Sequence, residues 1–486
     1  MSRQPALEHE WRFPARGIAI RLFLTCWMIY GLHFATNIVR EIYLGLAIGD
    51  HLSFRVDEYG GMHDDLFETP GRGWHIGNNP GASMLGAVPY AVARPLVDRV
   101  VAQVNRQRAA SGAQPPAYSS PWPKARQFFA DSWRRGYDVK FALAALVMQV
   151  FCMAPFSAAS VVLMFFVLRR LGATDRQGAW LALLYAFGTP VFFRTGFLNQ
   201  NMLVGYFALA GFAALWLWGT RNGAVVAGLA AGTCVLLDYS GGVIAAGLLV
   251  YCLLRQRVRL VAFVAGSIPP VLLLWFYQWQ SFGHPFYPGQ HWMPPVEWSE
   301  LGYQGVGGPQ MDLAWQLVFD YRFGLFLSCP LLLLAFAAVR LRGVAIPRFE
   351  LATLLAIFAG FWLFFSTVNY TRIQYNTGVR YMAPMIPLLF VPAALVLLRM
   401  KRGWVYGLAV GAVTQAWCMA MYRDVERGLG LGEPLLRVFT GGFQLPVLST
   451  LARLGGGSEL TASGVSPLPL FALTGAVLFG LWRRWA

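Results

Sequence analysis

Charge is scarce in this 486-residue chain: only 13% of its residues are Asp, Glu, Lys or Arg. An ordinary soluble domain carries about 25%. With 57% hydrophobic residues and a mean hydropathy of +0.49, that shortage excludes an ordinary soluble enzyme and a disordered chain. Lysine occurs only as Lys124, Lys140 and Lys401, so the net charge of +16 is almost entirely arginine. Cysteine is sparse too. Cys26, Cys152, Cys234, Cys252, Cys329 and Cys418 each fall inside an apolar run, and no two form a CxxC. They read as small buried hydrophobes, which leaves the loops no disulfide framework and no cysteine zinc site. A cleavable leader is not evident either. The basic start (Arg3, Arg12, Arg16) runs into an apolar stretch from Gly17 to Val39. That stretch is too long for a leader and reads as a first membrane helix that stays.

What the chain has instead is long apolar runs. A spanning helix needs about 20 of them in a row, because lipid satisfies no backbone polar group. Segments near 17–39, 141–168, 177–193, 202–219, 223–238, 241–254, 260–280, 323–339, 349–366, 382–398, 403–422 and 467–482 qualify, the fifth and sixth being short and Gly-rich. The expected fold is therefore an all-α polytopic membrane protein of about twelve transmembrane helices. With the N-terminus in the cytoplasm, the cytoplasmic turns hold Arg169/Arg170/Arg176, Arg255/Arg257/Arg259, Arg340/Arg342/Arg348 and Arg399/Lys401/Arg402. That asymmetry fits a multi-pass inner-membrane protein of a bacterium with both termini inside. Three outer segments are long: 40–138, 281–322 and 423–466. Within the first, Ala82–Val104 reads as one or two interfacial helices, interrupted by Pro89 and Pro95, and Ser111–Pro123 reads as a linker. The chain divides into a tail, 1–16, a transmembrane module, 17–402, that includes the 40–138 loop, and C-terminal helices, 403–486, with the 423–466 loop.

The helix centres are almost free of charge, and the polar residues gather on the outer side. Transporters usually keep ionisable groups at mid-membrane depth, so this placement points to a site at the outer boundary. The richest cluster runs Arg55, Asp57, Glu58, His63, Asp64, Asp65, followed by His75, Asn78 and Asn79 in a turn-rich stretch. A carboxylate there can act as a general base or hold a divalent cation with imidazole partners; the same spacing also fits solvated loop residues. A second run holds Asn369, Arg372, Tyr375, Asn376, Gly378, Arg380 and Tyr381. A guanidinium at headgroup depth suits phosphate capture, and equally suits an interfacial Arg in an aromatic belt. A third, Gly283–Trp292, includes His284, Tyr287 and His291; its rings suit a sugar, a lipid headgroup or a membrane-interface loop.

In this order on this topology, these elements resemble the GT-C superfamily of polytopic glycosyltransferases, which includes protein O-mannosyltransferases and the aminoarabinose and galacturonosyl transferases of lipid A. The likeness covers about residues 34–390 and rests on the order of weak motifs: the acidic loop after the first helix, Asn78-Asn79-Pro80-Gly81, Gly188-Thr189-Pro190, Asp238-Tyr239, Phe282-Gly283-His284-Pro285-Phe286 and Gly378-Val379-Arg380-Tyr381-Met382-Ala383-Pro384. The resemblance implies inverting transfer of a sugar from a polyprenyl-phosphate donor to an acceptor hydroxyl on the outer, periplasmic face. It implies a catalytic acid near the end of the first helix, where this chain has Asn37, which cannot serve, and Glu41. The base is then Glu41, Asp57, Glu58, Asp64 or Asp65, with Asp57 preferred. Arg380 would stabilise the departing phosphate. His63, His75, Asn78, Asn79, Asp238, Tyr239, His284, Arg372 and Tyr381 would contact substrate. His63, Asp64, Asp65 and His75 would orient the acceptor or hold Mg²⁺ or Mn²⁺. The alternative is a transporter or flippase of lipid-linked saccharides. The sugar and the acceptor, whether glycan, lipid or protein, are not encoded in any motif.

Overall fold

The computed structural model describes residues 14–119, 123–343, 345–372, 378–422, 429–454 and 466–483. Each of the twelve apolar runs contributes helix. α1 (Ala15–Leu32) is followed by an irregular stretch, 33–39, and by α2 (Arg40–His51). A hairpin, β1 (Leu66–Thr69) and β2 (Gly73–Ile76), leads to α3 (Gly81–Ser111) and α4 (Pro123–Arg134). α5 (Asp138–Met148) continues through a π-helical turn, Gln149–Met153, into α6 (Ala154–Arg170). Next come α7 (Asp175–Phe187), the short α8 (Val191–Arg194), α9 (Gln200–Ala213), α10 (Arg221–Leu237), α11 (Gly241–Arg255) and α12 (Leu260–Phe282). After the middle loop stand α13 (Met311–Phe319), α14 (Leu325–Ser328), α15 (Leu334–Ala337), α16 (Arg348–Ser366), α17 (Met385–Leu397) and α18 (Arg402–Met421). The last three are α19 (Gly432–Gly441), α20 (Pro446–Leu454) and α21 (Leu468–Arg483).

By length and composition, six helices among the described residues can cross a bilayer: 15–32, 138–170, 200–218, 257–282, 348–366 and 402–421. The pair α19–α20, bent by 61°, makes a seventh if counted as one span. The other apolar segments are shorter than twelve full spans require, and the sequence shows why. α7 stops at Phe187 because Gly188 and Pro190 follow. The 323–339 run breaks at Cys329, before Pro330. The first run ends at Leu32 rather than 39, and Ala35 N–H then donates to Gly196 O at 2.7 Å.

The region expected to hold one or two interfacial helices is one helix of 31 residues that passes through both prolines. Its first turns (Ser83, Gly86, Ala87, Tyr90) are buried, packed against α2 and α5. Farther along, Val88, Val92 and Leu96 form an exposed apolar stripe at i, i+4 and i+8. Of the Ser111–Pro123 linker, 112–119 has no regular structure, while 120–122 lies outside the described residues.

α1 and α21 run side by side and antiparallel. Arg21 Nε donates to Leu481 O at 3.2 Å, and Trp482 Nε1 donates to Thr25 Oγ1 at 3.0 Å. The arginine-rich turns gather at that end of the bundle, where Arg255 meets Glu350 at 3.4 Å. At the other end α2, the hairpin and the starts of α9 and α11 come together.

The tightest helix pair is α10 with α12. At Gly228 a Cβ would run into the Phe263 carbonyl, and at Gly266 into the Val225 carbonyl. Such backbone approach needs small residues on both faces. Gly228→Val is therefore expected to cost about 1–3 kcal/mol by overpacking. Gly411→Ala, where a Cβ meets open space, is the control. Thermal unfolding in detergent reads the difference; equal melting temperatures would remove the close-packing claim.

Candidate active site

The site begins where α2 begins. The irregular 33–39 stretch delivers Arg40 and Glu41 to the first turn of α2, and Glu41 is 5% exposed. The β1–β2 register pairs Leu66 with Ile76. Asp65, just before β1, therefore faces Gly77, just after β2, and Gly77 N–H donates to Asp65 O at 3.4 Å. The hairpin thus carries Asp65 and Asn78 to the same place. That place is Arg40: Nη1 donates to Asp65 Oδ2 at 2.5 Å and Nε to Glu41 Oε1 at 3.3 Å. The Asn78 amide lies against the same guanidinium and reaches Gln200 Oε1 at 3.2 Å. Gln200 Nε2 in turn donates to Asp238 Oδ2 at 2.6 Å, while Asp238 Oδ1 accepts from Ser240 N–H at 2.9 Å.

The electrostatics follow from this packing. Burial works against the charge on Arg40, but Asp65 and Glu41 outweigh it and hold the guanidinium more firmly protonated than usual. Burial likewise works to raise the Asp65 pKa. The pull of Arg40, His63 and Arg380 is stronger, and the carboxyl titrates below the ordinary range. Burial pushes the His63 pKa down, and Arg40 adds to it. His63 Nδ1 accepts the Asp65 N–H at 3.0 Å, so a neutral ring carries its proton on Nε2. At neutral pH the cluster therefore holds an ionised Asp65 beside an uncharged His63.

Arg380 arrives from the far end of the sequence. Gly378, at φ +86°, turns the chain ahead of it, and Asn201 Nδ2 donates to Arg380 O at 3.1 Å. Its guanidinium sits 4.9 Å from the Tyr381 ring centroid and has no hydrogen-bond partner among the described residues. Arg380, Arg40, Glu41, His63, Asp64 and Asp65 all line one cavity of about 1120 Å³. Another part of its wall is apolar, with Leu32 from α1, Leu143 and Leu146 from α5, Phe128 and Phe129 from α4, and Leu470 from α21.

Several expected residues stand elsewhere. Asp57, the preferred base, does not line the cavity: Oδ1 accepts from Trp74 N–H at 2.6 Å, and Oδ2 pairs with Arg55 at 2.6 Å. It clamps the hairpin, and this placement does not fit a base beside Arg380. Glu58 lies by His51 at 3.8 Å, also off the cavity. Asp64 does line it, but pairs with Lys124 at 2.7 Å. His75 is buried in the hairpin, Nδ1 3.0 Å from Gly73 O, and burial lowers its pKa to about 4. Asn79 binds Val235 O at 2.6 Å, and Tyr239 binds Gln278. His284 stacks on Tyr287 at 4.4 Å in the middle loop. Arg372 is tied to Asp312 at 2.8 Å and Gln310 at 2.5 Å. Tyr375 and Asn376 lie outside the described residues.

The residues named for a divalent cation do not converge. His75 turns away, Asp64 goes to Lys124, and Asp65 is held by Arg40. A different set, Asp50, His51 and Glu58, brings its ligand atoms within 4.8 Å of one another. Yet Asp50 Oδ2 already meets Lys140 Nζ at 2.7 Å and Oδ1 accepts from Tyr90 at 3.0 Å, so a cation there must displace an ammonium. Neither set fits a metal.

Sequence reasoning missed Arg40 and Gln200 as site residues. It also missed the wall formed by α19 and α20, which contribute Arg437, Ser449, Thr450 and Arg453 to the cavity, with Gln444 between them. Arg40 was visible as a basic residue beside an acid after the first apolar run. Gln200 and the α19–α20 wall carry no sequence signal that separates them from other polar residues.

Fold and site together define a helical protein of membrane-spanning composition with one large amphipathic cavity at the end away from its arginine-rich turns. No family model and no curated protein matches the chain. Among solved structures it is similar to ArnT from Cupriavidus metallidurans in the apo state, at 13% identity and a TM-score of 0.49, over 96% of this chain and 75% of that one.

The Arg40–Asp65 pair makes a pH prediction. A carboxylate whose folded pKa is depressed stabilises the fold above its unfolded pKa, and that stability is lost as pH falls through the lower folded value. Arg40→Gln removes the main cation, so the Asp65 titration moves up and acid destabilisation begins at higher pH. Melting temperature against pH tests this; an unchanged acid limb would show that Arg40 does not control Asp65.

Proposed function

We propose that the chain is an integral membrane glycosyltransferase of GT-C type. It transfers a sugar from a polyprenyl-phosphate donor to an acceptor hydroxyl. The observation that carries this reading is one cavity that holds an ionised carboxylate, Asp65, near the Arg380 guanidinium, which has no hydrogen-bond partner among the described residues, with apolar side chains of α1, α4, α5 and α21 along another wall. A lipid phosphate has those two needs: a cation for its headgroup and an apolar path for its tail. The order of motifs from the acidic loop to Gly378-Val379-Arg380-Tyr381 supports the same reading.

In the proposed reaction the acceptor oxygen attacks the anomeric carbon of the bound sugar. Asp65 takes the hydroxyl proton as the new C–O bond forms. The bond from the anomeric carbon to the phosphate oxygen breaks on the opposite side, and its electron pair leaves with the lipid phosphate. Arg380 meets the charge that develops there. Attack and departure on opposite faces invert the anomeric centre. Arg40 fixes Asp65, and Glu41 holds Arg40 from the other side, so both are positioning residues. No step is routed through a metal. In this reading the cavity faces outward from a bacterial inner membrane with both termini inside, and the arginine-rich turns at the opposite end support it through the positive-inside rule.

Asp65→Asn and Arg380→Ala are each expected to lower turnover by about 100-fold or more, with the protein still folded. Asp57→Asn is expected to keep most of its turnover, because its carboxylate serves the hairpin. The assay is purified protein with a polyprenyl-phosphate sugar and membrane-extracted acceptors. Retained turnover in Asp65→Asn but not in Glu41→Gln would move the base to Glu41. Retained turnover in both, or in Arg380→Ala, would contradict the mechanism.

A further inference from the structure

The Gly188-Thr189-Pro190 turn takes no part in the mechanism above, yet it sets the place of a buried cation. α7 ends there, Val191 N–H donates to Thr189 Oγ1 at 3.3 Å, and the single turn of α8 that follows ends on Arg194. The next residue ties α8 to α6, with the Thr195 hydroxyl 2.8 Å from Ser157 Oγ. Arg194 is 2% exposed, and its Nη2 donates to Gly378 O at 2.6 Å. Burying a guanidinium is costly, and a neutral amide or hydroxyl can satisfy a carbonyl. A charged donor at this point therefore calls for a role beyond filling space. The carbonyl it holds belongs to the turn that presents Arg380. The Arg380 guanidinium has no hydrogen-bond partner among the described residues, so its backbone and the Tyr381 ring decide where it points. Four contacts hold that backbone. Gly378 N–H donates to Arg322 O at 2.6 Å, and Val379 N–H donates to Ser328 Oγ at 3.1 Å. Gly378 O accepts from Arg194, and Arg380 O accepts from Asn201 Nδ2 at 3.1 Å. Gly378 also packs directly on α8, where a Cβ would meet Phe193 at 2.9 Å. Of the three side chains that make these contacts, Arg194 alone carries a charge.

We infer that Arg194 is a positioning residue for phosphate capture: its charge-assisted bond to Gly378 O locks the turn that aims Arg380 into the cavity. The inference rests on the reading of Arg380 as the cation that meets the lipid phosphate. Arg194 reaches the cavity wall, but at 2% exposure it acts on a ligand through Arg380 rather than by contact. Without Arg194 the Gly378 carbonyl loses its donor from α8. The turn then rests on the Arg322, Ser328 and Asn201 contacts, and the Arg380 guanidinium samples directions that do not face the phosphate. Misplacing a group that meets developing charge lowers the affinity and rate it supports, even when the group itself is intact. The sequence order follows from this: the Gly-Thr-Pro turn ends one helix so that a guanidinium on the next can hold a turn 184 residues later.

The test is equilibrium binding of a radiolabelled polyprenyl phosphate, without sugar, to the full-length protein in lipid nanodiscs. Arg194→Met is expected to weaken binding about tenfold, and Arg194→Lys, which keeps a charged donor, to stay within about threefold of the wild type. In an Arg380→Ala background the same Arg194→Met change is expected to alter binding by less than about twofold, because the group it positions is gone. A role in the fold alone would weaken both backgrounds alike. Should Arg194→Met fail to fold, Ser328→Ala releases Val379 N–H on the same turn and is expected to show the same dependence on Arg380. Unchanged binding in Arg194→Met, or equal losses with and without Arg380, would overturn the inference. Turnover separates it from the glycosyltransferase reading. A wild type that binds polyprenyl phosphate in this Arg194-dependent way but transfers no sugar would support the positioning role and remove that reading. Transfer that depends on Arg380 and is indifferent to Arg194 would do the reverse.

Discussion

One partly buried guanidinium organises the working end of this molecule. Arg40 touches Asp65 from the hairpin, Glu41 from its own helix and Asn78 from the segment that leads into α3. Its side chain, 18% exposed, is largely withdrawn from water and is held by pairing and hydrogen bonds. Three stretches of chain must therefore meet at Arg40 or leave it uncompensated. Through Gln200 the same contacts reach Asp238 at the end of α10. The loop after the first helix is thereby fixed to the bundle, and Asp65 is fixed in the cavity in its ionised form.

The bundle supplies what such a site requires. α10 and α12 approach so closely that Gly228 and Gly266 cannot carry a side chain. The cavity itself is polar at Arg40, Asp65 and Arg380 and apolar along α1, α4, α5 and α21. A soluble enzyme has little use for such a lining. A ligand with a charged head on a hydrocarbon tail finds both kinds of lining there.

Much of this architecture was legible in the sequence, because lipid solvation leaves a coarse and strong signal. All twelve apolar runs contribute helix; Pro190 and Pro330 cut two of them short, and the first stops at Leu32 rather than 39. Individual site residues were less legible. Asp57 and Asp65 look equivalent in a row of acids, and only the β1–β2 register separates them: one caps the hairpin through Trp74 N–H, the other is carried to Arg40. His75 and Arg372 likewise look functional by type, yet one folds into the hairpin and the other is consumed by Asp312 and Gln310. The α19–α20 wall was invisible because it is assembled by tertiary contact.

The most direct measurement of the central claim is an experimental structure of the protein with a polyprenyl phosphate bound. The account predicts phosphate oxygens within hydrogen-bonding distance of the Arg380 guanidinium, the first isoprene units along Leu143, Leu146 and Leu470, and the Asp65 carboxylate facing the position of the sugar. A phosphate bound away from Arg380, with Asp65 turned from it and the cavity occupied only by water, would contradict the account.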